Sequence, residues 1–325
     1  MIPPKLRHGD EIRIVAPATS IDVISEENRK HAVDVLEGLG YKVTFGKRIH
    51  GDDGFLSTPI DDRVADLHEA FGDKNVKALI TVLGGFNSNQ LLTHLDYDLI
   101  RKNPKVLCGY SDITALHNAI YAKTKLVTYN GPHFATFGMR KGFDYSLRYF
   151  RMCLESDGPF DVVPSEEWSN DEWYLDQEDR KFIKNSGFKV INEGEAEGRI
   201  LGGNLCTFNL LHGTEFMPDL GGSILFLEDD YMTTAKIFDR DLQSLIHQPG
   251  FEEVRGIVIG RFELRSKISD AELEKVVKGK RELDGMPVIA NVDFSHTSPQ
   301  ITFPIGGTAR MSAGGGRAAI RILEH

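Results

Sequence analysis

Cysteine is scarce in this chain, and its distribution argues against a disulfide framework. The three cysteines, Cys108, Cys153 and Cys206, are odd in number, far apart in sequence and set among apolar residues. Domains held by disulfides usually have an even number of cysteines, and cysteine-based metal sites have short characteristic spacings. We therefore expect three buried free thiols.

Long apolar runs and an excess of basic residues are also missing. No run approaches the ~20 apolar residues that cross a bilayer, and no N-terminal segment combines a basic start with an apolar run of signal length. Asp and Glu number 48 against 38 Lys and Arg, a formal net charge of −10. That charge argues against nucleic acid or an anionic membrane surface as the main partner. We expect a cytoplasmic protein.

Motifs for binding dinucleotides and nucleoside triphosphates are absent, although the first half of the chain alternates strands and helices. Neither a Gly-x-Gly-x-x-Gly fingerprint nor a P-loop follows any of the apolar strands. Strands are predicted at 11–16, 41–45, 78–83 and 105–108, and helices at 25–39, 60–70 and 112–122. This alternation predicts a Rossmann-like or flavodoxin-like parallel sheet, with a site at the carboxyl ends of its strands.

The pattern changes after about residue 155, where a polar segment begins. Beyond it, strands are predicted at 189–191, 197–201, 223–227, 256–259 and 287–290, helices at 234–248 and 270–283, and a hairpin around 309–322. Because 325 residues exceed the usual size of one domain, we predict two. An N-terminal domain over 1–165 and a strand-rich C-terminal α/β domain over 190–325 are joined by a linker over 166–189, with the active site between them.

Ser111 is the first candidate for a reactive residue. It lies in Gly109-Tyr110-Ser111-Asp112, between an apolar strand that ends at Cys108 and a predicted helix. A turn from strand to helix holds a hydroxyl above the sheet, where the free N–H groups of the helix start can stabilise an oxyanion. The alternative is that Ser111 only caps the helix, as serine often does.

A nucleophilic serine needs a base, and the base needs an orienting acid. His296 is the preferred base because it lies on a loop beyond a predicted buried strand, whereas His117 and His133 fit a packed helix and a turn. The preferred acid is Glu228, which follows the apolar strand 223–227 together with Asp229 and Asp230. These three carboxylates are also compatible with a solvated strand end.

Several motifs, in this order along the chain, resemble those of the LD-carboxypeptidase family of serine peptidases. They are Pro3-Pro4-Lys5-Leu6, Gly84-Gly85-Phe86-Asn87-Ser88-Asn89, Gly109-Tyr110-Ser111-Asp112, Gly202-Gly203-Asn204, Leu227-Glu228-Asp229 and Ser295-His296-Thr297. The resemblance covers nearly the whole chain. Within the family, the Gly84–Asn89 motif and the segment with Trp168 and Trp173 are similar to the branch named for the microcin C immunity peptidase.

The resemblance implies the roles of the site residues. Ser111, His296 and Glu228 would form a catalytic triad, and the backbone N–H groups of Gly85 and Asp112 an oxyanion hole. One departure is Ser295, where the family usually has Gly. If that position required a positive φ, a serine there would be strained. A homodimer is expected from the resemblance alone.

The implied reaction is hydrolysis of a C-terminal amide bond, which requires no metal and no organic cofactor. Family members either remove D-alanine from a murein tetrapeptide or cleave an aspartyl group from a nucleotide, and we favour the second substrate. Asn87 and Ser88, with Asn89, could hydrogen-bond the substrate, and Trp173 or Trp168 could stack on adenine.

Two further alternatives belong to other classes of protein. One is a binding module that kept the fold without catalysis, although the presence of all three triad residues argues against it. The other is an α/β-hydrolase esterase, which is disfavoured because Ile113 occupies the position of the second glycine in Gly-x-Ser-x-Gly.

Overall fold

Two large β-sheets form the framework of the protein, in agreement with the predicted α/β fold. The computed structural model describes residues 1–325. The strands are β1 (Glu11–Val15), β2 (Lys42–Phe45), β3 (Val76–Thr81), β4 (Val106–Gly109), β5 (Thr128–Asn130), β6 (Phe160–Val162), β7 (Glu167–Trp168), β8 (Ile183–Lys184), β9 (Lys189–Asn192), β10 (Gly194–Asn204), β11 (Ser223–Glu228), β12 (Gly256–Gly260), β13 (Val288–Val292), β14 (Phe303–Ile305), β15 (Thr308–Gly314) and β16 (Arg317–Glu324). The α-helices are α1 (Glu26–Gly38), α2 (Ile60–Gly72), α3 (Tyr97–Lys102), α4 (Thr114–Thr124), α5 (Asp144–Leu154), α6 (Leu205–Asn209), α7 (Ala235–Ile246) and α8 (Asp270–Lys278).

The first sheet has six strands in the order β14-β5-β4-β3-β1-β2. Strands β1 to β5 are parallel, and β14 is antiparallel to β5. The order 2-1-3-4-5 is that of flavodoxin-like sheets, in which ligands bind where the winding reverses, between the ends of β1 and β3. The segments that follow these two strands, and the one that follows β4, therefore define one edge of the site.

The second sheet has eight strands in the order β6-β16-β15-β10-β11-β12-β13-β9. Its central strands, β10 to β13, are parallel, and the flanking pairs are antiparallel. Every residue of β11 is buried, as the apolar run 223–227 predicts. The carboxyl ends of β10 and β11 lie side by side, because Asn204 pairs with Glu228 in the sheet register.

The chain crosses between the two sheets more often than the predicted boundaries suggest. Strand β14, from the C-terminal half, completes the first sheet, and β6, from the predicted N-terminal domain, pairs with β16 at the edge of the second sheet. The predicted linker 166–189 holds the small hairpin of β7 and β8. The domain boundaries stay a prediction, and one continuous core of 85 buried residues spans both halves.

The expectation for the thiols is confirmed for two of the three cysteines and wrong for the third. Cys108 and Cys153 are buried and free, whereas Cys206 is exposed. Helix α6 turns Leu205, Thr207 and Phe208 inward, which leaves the side chain between them facing outward. No helix has the length and apolar character needed to cross a membrane.

Candidate active site

Ser111 lies on a sharp turn between β4 and α4. Its φ is +60°, a left-handed conformation that is strained for a serine and is found in nucleophile elbows. Gly84 lies against it so closely that a Cβ there would come within 2.8 Å of the Ser111 Cβ. Ser111 is not the N-cap of the short helical turn or of α4, so the capping alternative is wrong.

Helix α4 is fixed against the end of β10, which sets the distance between the two halves of the site. The Thr114 hydroxyl accepts a hydrogen bond from the Asn204 N–H at 2.9 Å. The Asn118 side chain donates to the Gly202 carbonyl at 2.7 Å and accepts from the Gly202 N–H at 3.3 Å. Because β10 pairs with β11, these bonds hold the serine turn in register with Glu228.

Glu228 is the last residue of β11 and is almost completely buried, at 1% exposure. Its Oε2 lies 2.8 Å from His296 Nδ1, while its Oε1 has no hydrogen-bond partner. A buried carboxylate without a cation is costly unless a neighbour can take up positive charge. The imidazole of His296 is that neighbour.

His296 lies on the loop after β13 and reaches both other residues. Its Nε2 is 2.9 Å from Ser111 Oγ, which completes a hydrogen-bonded series from the serine to Glu228. Burial alone would lower the pKa of His296, but the charge and hydrogen bond of Glu228 outweigh it and raise this pKa to about 9. The structure therefore brings together the three residues that the sequence predicted as a triad.

Ser295 is unstrained and has a partner in the site. Its φ is not positive, so the strain considered for a serine at this position does not arise. Its hydroxyl donates to Glu228 Oε2 at 3.0 Å and lies 3.3 Å from the Asp229 carbonyl oxygen. The departure from glycine adds a second donor to the carboxylate that lies beside His296.

One predicted oxyanion donor follows Gly84, which packs on Ser111, and the other follows Ser111 itself. Gly85 has a φ of +156°, and a Cβ there would come within 2.8 Å of Thr19 Oγ1, so only glycine fits. Asp112 directly follows the serine and is 2% exposed. Their role as oxyanion donors stays a prediction.

Asn87 and Ser88, predicted to contact substrate, are buried and hydrogen-bonded within the protein. The Asn87 amide donates to Ser57 Oγ at 2.8 Å, and the Ser88 hydroxyl donates to the Asp112 carbonyl at 2.7 Å. Their exposures are 4% and 0%. Their contact with substrate stays a prediction, and the contacts observed here favour a role in holding the loop.

A cavity of about 240 Å³ opens beside His296. Trp173 lines it, as do three residues that the sequence analysis did not single out as substrate contacts: Tyr110, Tyr231 and Glu263. Tyr231 follows Glu228 by three residues and Glu263 follows the end of β12 by three, so position beyond a strand end was the available signal. The contact of Trp173 with substrate stays a prediction.

Trp168 has a different environment from Trp173. It is 8% exposed and packs its ring on the guanidinium of Arg261, with 4.9 Å between them. It does not line the cavity. Trp168 therefore belongs to the packing of the segment, and Trp173 is the tryptophan at the cavity.

The other candidate histidines do not compete with His296 for the role of base. His133 is buried, stacks on Tyr110 with ring centroids 4.2 Å apart, and lies 2.7 Å from Thr81 through its Nδ1. Burial holds the pKa of His133 well below its usual range. His117 is buried on α4, and its Nε2 lies 2.9 Å from the Gly109 carbonyl.

Comparison with known proteins places this site in a family. The model for the LD-carboxypeptidase N-terminal domain matches residues 12–131, and the model for the C-terminal domain matches residues 197–311. The chain belongs to the LD-carboxypeptidase family. It is accordingly a serine-type carboxypeptidase, and the alternative of a binding module without catalysis is not supported.

Relatives of this LD-carboxypeptidase family member cover nearly its whole length. The carboxypeptidase-named protein YocD of Bacillus subtilis is 55% identical over 100% of both chains. The microcin C7 self-immunity protein MccF of Escherichia coli is 34% identical, over 92% of this chain and 89% of that protein. A protein of Bacillus subtilis named as a murein peptide carboxypeptidase is 33% identical, over 95% of this chain and 91% of that protein.

Solved structures agree with the fold of the family member. The MccF-like protein of Bacillus anthracis superposes with a TM-score of 0.99 at 54% identity, over 100% of both chains. The structure of MccF in complex with aspartyl sulfamoyl adenosine superposes with a TM-score of 0.89 at 30% identity, over 100% of this chain and 99% of that one.

Proposed function

We propose that this LD-carboxypeptidase family member hydrolyses a C-terminal amide bond of a small peptidyl-nucleotide, with Ser111 as nucleophile, His296 as general base and Glu228 as the acid that orients it. The observation that carries the proposal is the hydrogen-bonded series from Ser111 Oγ through His296 to Glu228 Oε2, with distances of 2.9 and 2.8 Å. A strained serine, a reachable base and a buried carboxylate in this order are the parts of a serine hydrolase.

Acylation begins when His296 Nε2 takes the Ser111 proton and Ser111 Oγ attacks the scissile carbonyl carbon. The carbonyl oxygen becomes an oxyanion that accepts hydrogen bonds from the Gly85 and Asp112 N–H groups. Glu228 stabilises the resulting imidazolium, which then protonates the leaving amine as the carbon–nitrogen bond breaks. An acyl-enzyme remains on Ser111.

Deacylation repeats these steps with water. His296, neutral again, takes a proton from water as its oxygen attacks the acyl carbon, and the imidazolium returns that proton to Ser111 Oγ when the ester bond breaks. The products are a free carboxylic acid and an amine or amide. Apart from the substrate and water, every group in this cycle belongs to the chain, and the proposal includes neither a metal nor an organic cofactor.

The nucleotide part of the proposed substrate is supported by the cavity beside His296. Trp173 lines this cavity together with the rings of Tyr110 and Tyr231, and aromatic faces stack on nucleobases with about 1–3 kcal/mol per contact. Support also comes from the relative MccF, which is named for self-immunity to microcin C7 and was solved with aspartyl sulfamoyl adenosine. We propose the same class of aminoacyl nucleotide, and a detoxifying role, for this chain.

The second candidate substrate is a murein tetrapeptide from which the terminal D-alanine is removed. The relative at 33% identity that is named as a murein peptide carboxypeptidase favours it. The same triad would perform this reaction, so the two candidates differ in the group bound beside His296 and not in chemistry. The predicted cytoplasmic location and homodimer are part of the proposal for either substrate.

Hydrolysis of two synthetic substrates in parallel tests the proposal. Aspartyl sulfamoyl adenosine and the L-Ala-D-Glu-diaminopimelate-D-Ala tetrapeptide are each incubated with the protein and with Ser111→Ala. We expect faster release of aspartate from the nucleotide, and a loss of about 10⁴–10⁶-fold in kcat in the variant with an unchanged melting curve. A variant that retains more than about a tenth of the activity would overturn the triad, and faster hydrolysis of the tetrapeptide would favour the murein substrate.

A further inference from the structure

The loop that follows β3, Gly84–Leu91, here named the glycine loop, has no strand partner of its own. Its only regular structure is a short 3₁₀ turn over Ser88–Leu91, and it contains Gly85, one of the two proposed oxyanion donors. A donor N–H on such a loop is useful only if the loop is held still, because oxyanion stabilisation depends on groups that are oriented before the reaction.

The side chain of Asp112, on the turn that contains Ser111, is hydrogen-bonded to this loop. Its Oδ2 accepts hydrogen bonds from two consecutive backbone N–H groups, Asn87 at 3.1 Å and Ser88 at 2.9 Å. Its main-chain carbonyl accepts a third from the Ser88 hydroxyl at 2.7 Å. Asp112 is buried, so the two charge-assisted bonds to its carboxylate form without competition from solvent.

Arg63 is also hydrogen-bonded to this loop. It lies on α2, is 2% exposed, and donates through Nη1 to the Asn87 carbonyl at 3.3 Å and the Asn87 side-chain oxygen at 3.1 Å. The same Nη1 lies 3.2 Å from the Pro17 carbonyl after β1, and Nη2 donates to Gln90 at 2.8 Å. A buried cation and a buried anion therefore hold one short segment between them.

We infer that the side chains of Asp112 and Arg63 are positioning residues, which hold the glycine loop so that the Gly85 N–H and the Asp112 N–H face the same oxyanion. This inference rests on the proposed function for its catalytic meaning. Asp112 has two parts in it: its own N–H is one donor, and its carboxylate fixes the segment that bears the other. A movement of the loop away from Ser111 would separate the two donors.

The burial of Asp112 explains why its charge matters. Burial raises the pKa of this carboxyl, whereas the N–H groups of Ser88 and Asn87 and the charge of Arg63 act in the opposite direction. An amide at this position keeps one oxygen that can accept both bonds, but it carries no charge, so the bonds lose their charge assistance. Alanine leaves both N–H groups without an acceptor.

Hydrogen exchange and kinetics together test the inference on Asp112→Asn, Asp112→Ala and Arg63→Lys. The matched control is Asp66→Asn, because Asp66 is also a buried carboxylate that accepts a backbone N–H, from Arg48 at 2.9 Å, but its hydrogen bonds go to Arg48 and not to the glycine loop. In Asp112→Ala we expect at least about tenfold faster amide exchange in residues 84–91 and a fall in kcat of about 10²–10³-fold, the size seen when one oxyanion donor is lost. Asp112→Asn and Arg63→Lys should show the same two effects, faster exchange and lower kcat, at smaller size. Asp66→Asn should match the unmodified protein in both measurements.

Two further readouts separate positioning from general destabilisation. KM should stay within about threefold, and the titration of His296, followed by NMR of its ring, should not move, because no residue of the glycine loop lines the cavity beside His296 and none hydrogen-bonds to His296. Exchange of residues 84–91 at the unmodified rate in Asp112→Ala, or a kcat within about threefold of the unmodified protein, would overturn the inference.

A failure of the proposed function has a different signature. The exchange measurement needs no substrate, so it reports on how Asp112 and Arg63 hold the glycine loop even if neither synthetic substrate is hydrolysed. If Asp112→Ala exchanged faster but Ser111→Ala were as active as the unmodified protein, the proposed triad would be rejected. The conclusion that Asp112 holds the glycine loop would still stand. A global rise in exchange beyond residues 84–91 would count against positioning.

Discussion

At the scale of single residues, the charge of Glu228 decides at which pH His296 can act as the proposed base. The pKa of His296 is about 9, and a base must be neutral to accept a proton, so kcat/KM should rise about tenfold per pH unit below this value and level off above it. In Glu228→Gln the largest of the charges that raise the pKa of His296 is gone. Burial still lowers this pKa, and the smaller raising effects of Asp230 and Glu263 remain. We expect the rising limb to move to lower pH and the plateau to fall by about 10³–10⁴-fold, measured as kcat/KM from pH 5 to 10.

Asp229→Asn is the control for the choice of carboxylate. Asp229 Oδ1 accepts from the Asn204 amide at 3.3 Å, and its side chain does not reach His296. In this variant, kcat/KM should rise over the same pH range as in the unmodified protein and should keep most of its plateau value. If it proved as damaging as Glu228→Gln, the assignment of Glu228 as the orienting acid would be wrong.

Ser295 gives a second prediction at this scale. Its hydroxyl donates to Glu228 Oε2 at 3.0 Å, and a hydrogen bond to a charged group contributes about 1.5–3 kcal/mol. Ser295→Ala should lower kcat by about tenfold and shift the pKa of His296 slightly upward, because the carboxylate loses a donor that competes with the imidazole. Steady-state kinetics and the pH profile measure both effects, and a kcat equal to that of the unmodified protein would show that the hydroxyl is dispensable.

At the scale of elements, the sequence predicted those parts of the fold that have a local signal. Apolar runs with sharp ends located β1, β3, β4 and β11, and a strand-to-helix turn located Ser111. Strand β14 was not predicted, because Phe303-Pro304-Ile305 is three residues long and has a proline at its centre, and it forms only by pairing with distant β5. A strand this short, which depends on a distant partner, cannot be predicted from the sequence of the segment alone.

The site shows the same division between local and distant signals. Ser111 and His296 follow strands and Glu228 ends one, so position and chemistry singled them out. The Asp112 carboxylate accepts hydrogen bonds from Asn87 and Ser88, which lie 25 and 24 residues before it in the sequence. No rule of sequence spacing predicts contacts of this kind. Asn87 and Ser88 were predicted to contact substrate because they are polar and lie beside Gly85, a predicted oxyanion donor. The sequence around them does not show that their partners are within the protein.

The segment that contains Trp173 gives a prediction for a whole element. It covers the cavity beside His296 through Trp173, while Trp168 is anchored on Arg261. Trp173→Ala should raise KM for aspartyl sulfamoyl adenosine by the factor that ~1–3 kcal/mol of stacking represents, and scarcely change KM for the murein tetrapeptide. Leu175→Ala is the neighbouring control on the same segment, because Leu175 is 73% exposed and does not line the cavity. Equal losses on both substrates, with a lower melting temperature, would indicate packing and not stacking.

At the scale of the whole molecule, the triad depends on both sheets at once. Ser111 follows a strand of the first sheet, whereas Glu228 and the loop of His296 extend from the second. The two are joined by β14, whose Phe303 belongs to the first sheet and packs on Phe226 of β11, with ring centroids 4.9 Å apart. The same ring contacts Phe294, two residues before His296, at 5.0 Å. Relative motion of the sheets is therefore opposed by an aromatic cluster next to the catalytic loop.

This shared core predicts that the protein unfolds as one unit. Calorimetry should show a single transition, and activity should be lost in step with it, because the buried core is continuous across the two sheets. Phe303→Ala should keep the single transition but destabilise the protein by about 3–5 kcal/mol, since Phe303 is fully buried. Phe55→Ala removes a ring that is 64% exposed and should leave the transition in place. Two separate transitions in the unmodified protein, with activity lost in the first, would mean that the halves are independent and that β14 is only a loose bridge between them.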